Sequence, residues 1–172
     1  NNWFAAESST LVAAALSLKD AQKRNFYLDF YLNRDTVVDG CGQLSLPSAS
    51  KLWFTPDGHW KEPGGYHNYP VSKLIEAALM LENNGYQIFN QYPILLNASY
   101  VMLKYSFPDL TASAFGDTGR PRQSMECLES AILMADKYQL PILPDLLNAA
   151  MILEQAGQYD RSKSGLTGLL CY

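Results

Sequence analysis

An all-α fold is what this sequence predicts, on three observations. Apolar residues recur at helical spacing through most of the chain, as in Leu74, Ala77, Ala78 and Leu81. Capping and breaking residues, such as Asp20 and Asn83-Asn84-Gly85, punctuate those stretches. No run of alternating β-branched residues is long enough to build a sheet. Helices of roughly three to five turns joined by short connections make α-hairpins laid side by side, in a bundle or a closed ring.

Taken in order, Phe4 to Leu18 puts Phe4, Leu11, Ala14, Ala15 and Leu18 on one helical face. Asp20 reads as the N-cap of a second helix, filled by Phe26, Leu28, Phe30 and Leu32 and ending near Arg34. Residues 35–65 read as irregular, with Asp39-Gly40, Pro47 and Pro56-Asp57-Gly58 as turn signals. A third helix spans Val71 to Gly85 and stops at Asn83-Asn84-Gly85, as a left-handed cap requires. Pro93 suits the first turn of a fourth, continued by Leu96, Val101, Met102 and Tyr105. Phe107 to Arg122 is loop. A fifth helix runs from Gln123 to Tyr138, and a sixth from Pro144 to Gly157 with the stripe Leu147, Ala150, Ile152 and Leu153. The two long loops exceed what compact connections need, which favours a functional role for them.

Composition narrows the function classes. A chain of 172 residues suits one domain, and 48% apolar residues are too many for disorder. The net charge of −4 gives no general basic field for nucleic acid, so an anionic ligand would need a local basic patch. No apolar run is long enough to span a membrane, and no signal peptide is visible. Cys41, Cys127 and Cys171 are far apart and match neither zinc spacing nor a disulfide framework, so they read as incidental thiols. Asn1 leads at once into Trp3-Phe4, and Leu169-Leu170-Cys171-Tyr172 is an apolar finish. The expectation is a piece of a longer polypeptide.

Chemistry concentrates in Pro56-Asp57-Gly58-His59-Trp60-Lys61-Glu62-Pro63-Gly64-Gly65-Tyr66-His67-Asn68-Tyr69. A core-building segment has no need of so many phenols and imidazoles where a loop meets a helix start, and rigid scaffolds carry function at such places. Tyr66 and Tyr69 lie three apart and share a face if helical. A phenol titrates near ~10, so it serves better as proton donor to a leaving alkoxide than as base. Buried tyrosines with a single hydroxyl partner are the alternative. His67 reads as a base or carboxylate ligand, or else as a hydrogen-bonded packing residue; His59 reads as a cleft wall. The two histidines lack a carboxylate at metal spacing, so no metal is expected in this segment. Asp117-Thr118-Gly119-Arg120-Pro121-Arg122 offers the best anion patch, since guanidinium forks grip carboxylate and sulfate, although an Asp117–Arg120 clasp reads equally well. Asn97-Ala98-Ser99 matches a glycosylation acceptor but lies inside an apolar helical stripe, which makes it a chance match.

Three motifs occur in a familiar order: Asn1-Asn2-Trp3 opening a helix, Asp57 through Tyr69, and Phe115-Gly116-Asp117-Thr118-Gly119. With them the chain resembles the heparinase II/III-like polysaccharide lyases, alginate lyase relatives included, over nearly its whole length. The resemblance implies an incomplete (α/α) toroid, followed by a β-sandwich domain absent from these 172 residues. It implies β-elimination on a 4-linked uronic acid: an asparagine or histidine neutralises the carboxylate, a base takes the C5 proton, and a tyrosine protonates the leaving oxygen. Carried onto matching positions, the catalytic set is Asn2, Tyr66, Tyr69 and His67. The substrate-binding set is Asn1, Trp3, His59, Trp60, Glu62, Arg120 and Arg122. Zinc, where the family holds it, sits in the missing domain. The implied partner is an acidic polysaccharide and the implied location periplasmic or secreted.

Physical reasoning fits these roles. Donors aimed at the carboxylate spread charge into the developing enolate, and an amide donates twice without carrying charge. Asparagine also caps helices well, which is the competing reading of Asn1 and Asn2. Two further functions stand beside elimination: a carbohydrate-binding helical domain without turnover, and a toroid glycosidase. The latter would need two carboxyl groups facing one bond, from among Asp57, Glu62 and Asp117. Asp57 fits a structural turn, and Glu62 fits the orienting of a ring or an arginine.

Overall fold

Residues 2–38, 40–62, 64–113 and 119–158 are described by the computed structural model. Helix α1 spans Asn2–Leu16 and α2 spans Ala21–Leu32. A two-stranded antiparallel hairpin follows, β1 Thr36–Val38 with β2 Cys41–Gln43, and then α3, Leu46–Leu52. A single 3-10 turn, Gly64–Tyr66, leads into α4, Asn68–Glu82. The remaining helices are α5 Ile88–Gln91, α6 Pro93–Lys104, α7 Met125–Lys137 and α8 Leu143–Gln155. The described residues are thus mostly helical.

Helix α4 is the hub. Every residue from Leu74 to Glu82 is buried, as happens when a helix is covered on all sides. α1 packs along it most extensively, and α5, α6 and α7 surround the rest. Consecutive helices also touch, α1 with α2, α6 with α7 and α7 with α8. The face α1 turns to α4 is Phe4, Ala5, Ser8, Ser9, Val12 and Ala15, all buried. Small residues dominate it, which lets the two helix axes approach closely.

Two buried carboxylates fasten the hub. Glu76 accepts from Ser9 Oγ of α1 at 3.0 Å and from Lys73 Nζ at 2.9 Å. Glu82 accepts from the Phe89 amide at 3.0 Å and from the Tyr138 hydroxyl at 3.0 Å, and pairs with Lys137. One side chain at the end of α4 therefore holds both α5 and α7. Burial, with Glu82 beside it, pushes the Tyr138 phenol up to about 12.

Several expectations from the sequence are corrected. Residues 35–65 are not wholly irregular: a short hairpin forms over 36–43, with Gly40 at φ +80°, and Pro47 sits in the first turn of α3; Asp39 lies outside the described residues. α4 begins at Asn68 rather than Val71, because Pro70 lies in a first turn whose amides need no partner. On α8 the buried residues are Leu146 and Leu153, while Leu147 and Ile152 stay exposed, since α8 packs mainly on α7. On α1, Ala14 is exposed and Val12 takes its place in the core. On α2 the core is Leu28 and Tyr31; Phe26 and Phe30 instead receive the Arg34 guanidinium at 5.8 and 5.5 Å.

Candidate functional site

The turn Thr55-Pro56-Asp57-Gly58 folds back on itself. The Gly58 amide donates to Thr55 O at 3.0 Å, the Thr55 amide donates to His59 O at 2.8 Å, and Phe54 bridges Trp60 across the pair. Asp57 accepts from Thr55 Oγ1 at 2.6 Å and from the Tyr105 hydroxyl. Those hydrogen bonds hold its carboxyl down to about 2. Gly58 stands at φ +100°, and a Cβ there would fall 2.7 Å from the Ala98 amide nitrogen of α6. No other residue lets the turn lie so close on that helix.

Trp60 is wholly buried, stacked on Trp53 at 5.7 Å and edge-on to Phe54 at 5.3 Å. Its expected contact with substrate is therefore corrected: the indole is core. Its Nε1 donates to Glu62 at 3.1 Å, so Glu62 orients this ring.

The backbone of Trp60 lies between two histidines. Its amide donates to His67 Nδ1 at 3.0 Å, and its carbonyl lies 2.6 Å from His59 Nδ1. A carbonyl only accepts, so Nδ1 of His59 carries the proton. Nδ1 of His67 accepts, so its proton is on Nε2, which donates to Ala98 O at 2.9 Å. The imidazoles hold opposite tautomers with ring centroids 4.9 Å apart. His67 is buried, and that burial lowers its pKa to about 4. With both nitrogens bonded to backbone, it has no free atom for a substrate. The assignment of base or ligand to His67 is corrected on that ground.

The start of α4 presents the phenols. Tyr66 closes the 3-10 turn and Tyr69 lies in the first turn of α4, and both are exposed. Between them, Asn68 Nδ2 donates to Arg122 O at 2.7 Å. That bond fastens the second long loop to the tyrosine-bearing junction. Arg122 also bridges Thr111, and the Ala112 amide donates to Pro121 O at 2.7 Å. Arg120 and Arg122 are exposed. Asp109 accepts from the Thr111 hydroxyl and amide, and these bonds, helped by both arginines, hold its carboxyl below the usual range. Beside Arg122 a cavity of about 500 Å³ opens, lined by Gln123, Ser124, Glu126, Leu153 and Gln158 among others. Its size is that of small-ligand pockets. Burial, with Glu76 and Glu129 near, raises the Glu126 carboxyl.

The structure thus ties His59, Glu62 and His67 to Trp60, and Asn68, between Tyr66 and Tyr69, to the Arg122 backbone. Trp3 is exposed at the start of α1. Asn1, the side chain of Asn2, and Phe115 to Thr118 with Asp117 lie outside the described residues. Tyr105 was not visible as a site residue in the sequence. It ends an apolar stripe and reads as core, yet its ring is half exposed and stands edge-on to His59 at 5.5 Å. Cys127 is buried, and burial pushes its thiol up to about 12, so it offers no nucleophile. Among the described residues no set of three or more His, Cys, Asp or Glu is placed to hold a metal ion, and no helix is long and apolar enough to cross a membrane. Comparison with protein-family models, with curated proteins and with solved structures finds no match to this chain.

Proposed function

We propose that this chain belongs to a polysaccharide lyase that cleaves a uronic-acid polymer by β-elimination, its helices a part of an incomplete (α/α) toroid. The observation that supports the reading is the Asn68–Arg122 bond, which ties the loop carrying two exposed arginines to the helix start carrying two exposed tyrosines. The arginines suit the carboxylates or sulfates of an acidic polymer. A tyrosine hydroxyl suits the leaving oxygen. Asn2 takes the substrate carboxylate on the strength of the resemblance, and a periplasmic or secreted location rests there too. A hydrolase is disfavoured by the carboxyl groups themselves. Asp57 is held ionised by Thr55 and Tyr105, and Glu62 is engaged by the Trp60 indole.

A binding domain without turnover is the second reading. Tyr66, Tyr69, Tyr105 and Phe107 are all exposed, and aromatic faces are what sugar rings stack on. The two readings part on product chemistry. Incubation of the whole polypeptide with alginate, heparan sulfate and chondroitin should yield chains ending in a C4=C5 double bond. Retention on an immobilised polymer without new chain ends would favour binding alone.

A further inference from the structure

We infer that His59 is the proton acceptor of this site, acting through Nε2, while its neighbour His67 is a neutral latch. The inference rests on the elimination reading for its substrate, and on the geometry around the Trp60 peptide for its residue. Protonation has opposite consequences at the two rings. A proton on His67 would have to enter at Nδ1, where the ring already accepts the Trp60 amide. It would break that bond and place a charge inside the core. A proton on His59 enters at Nε2, and the Nδ1–H bond to Trp60 O survives it. Nε2 of His59 has no protein partner among the described residues and is not among the buried polar atoms that lack one. His59 is only part-buried, so the atom reaches solvent.

The surroundings fix that atom without occupying it. Tyr105 stands edge-on to the imidazole and donates to Asp57 two residues back, and His59's own amide donates to Thr55 Oγ1 at 2.9 Å. The ring also meets His67, with centroids 4.9 Å apart. A neutral imidazole with one fixed N–H and one open lone pair is the form a general base needs. In the elimination, the C5–H bond breaks and its proton goes to His59 Nε2. The electron pair forms C4=C5, and the C4–O bond breaks onto the leaving oxygen. That oxygen takes its proton from a tyrosine hydroxyl at the α4 start. Solvent then removes the proton from His59 and returns one to the tyrosine.

The test has a spectroscopic arm and a kinetic arm. Long-range ¹H–¹⁵N correlation spectra of the whole polypeptide, assigned with His59→Gln and His67→Gln, report both tautomers. His59 should show the Nδ1–H form and His67 the Nε2–H form. With a uronate polymer, His59→Gln should lower kcat by about 10²–10⁴-fold at little change in KM. It should also remove the acidic limb of the pH profile, which His67→Gln should retain. An Nε2–H tautomer at His59, or wild-type kcat in His59→Gln, overturns the inference while unsaturated product keeps the elimination reading. A wild-type protein that makes no unsaturated product overturns both.

Discussion

Replacing His67 tests the central latch by its pH dependence. The folded protein holds this imidazole neutral down to about 4, against 6.5 for the free group, chiefly through burial. Above pH ~6.5 both the folded and the unfolded chain leave it neutral, and its contribution is complete. As the pH falls from 6.5 to about 4, the unfolded chain takes up a proton that the folded one refuses, so stability is lost; below about 4 the loss levels off. The difference amounts to roughly 3 kcal/mol, most of which should be gone at a pH of about 4.5. Glutamine at 67 keeps an acceptor for the Trp60 amide and a donor for Ala98 O, yet does not titrate. Urea unfolding of wild type and His67→Gln at neutral and mildly acidic pH should therefore show the stability gap moving against the wild type by that amount. Asp57 is held down by hydrogen bonds, so its contribution is lost between 3.8 and about 2, in a lower window. A gap that stays constant between pH ~7 and ~4.5, or an NMR titration of His67 near its ordinary value, would refute the reasoning.

Other consequences follow from named contacts. Gly58→Ala forces a Cβ to 2.7–2.8 Å from the α6 backbone at a φ of +100°; thermal unfolding should report a loss of about 1–3 kcal/mol, with the tautomers of His59 and His67 disturbed. Glu82→Ala orphans the Phe89 amide and the Tyr138 hydroxyl; a loss of about 1–3 kcal/mol is expected, and amide exchange should quicken first in α5. Asn68→Ala removes the tie to Arg122 O; stability should fall by only about 1 kcal/mol, while KM for a uronate polymer rises. Tyr66→Phe keeps the ring and removes the hydroxyl, and kcat should fall by about 10²–10⁴-fold with KM little changed; wild-type turnover would move the proton donor to Tyr69.

The helices were legible because their signals are local. The N-cap at Asp20 is observed, with its carboxylate accepting from the Gln22 and Lys23 amides. The stop after α4 is observed too, with Gly85 at φ +87°. Which side of a helix is buried was less legible, because a neighbour decides it: Leu147 and Leu146 are equally apolar, and only the position of α7 separates them. Short elements such as α5 and the hairpin at 36–43 hold too few residues for a period to emerge. At the site, the segment 56–69 stood out by composition, but the roles inside it did not. Trp60 and His67 look like ligand-facing residues in one dimension and are core in three. The His59 tautomer depends on one carbonyl and the Tyr105 contact spans 46 residues, so neither leaves a mark at short range in the sequence.

Elimination itself is tested most directly by the ultraviolet absorbance of its product. The protein is incubated with alginate, heparan sulfate and chondroitin, and the conjugated C4=C5 uronate is followed over time. Growth of that absorbance on at least one polymer, lost in Tyr66→Phe and His59→Gln, is the expected result. Saturated chain ends, or intact polymer throughout the panel, would contradict the account.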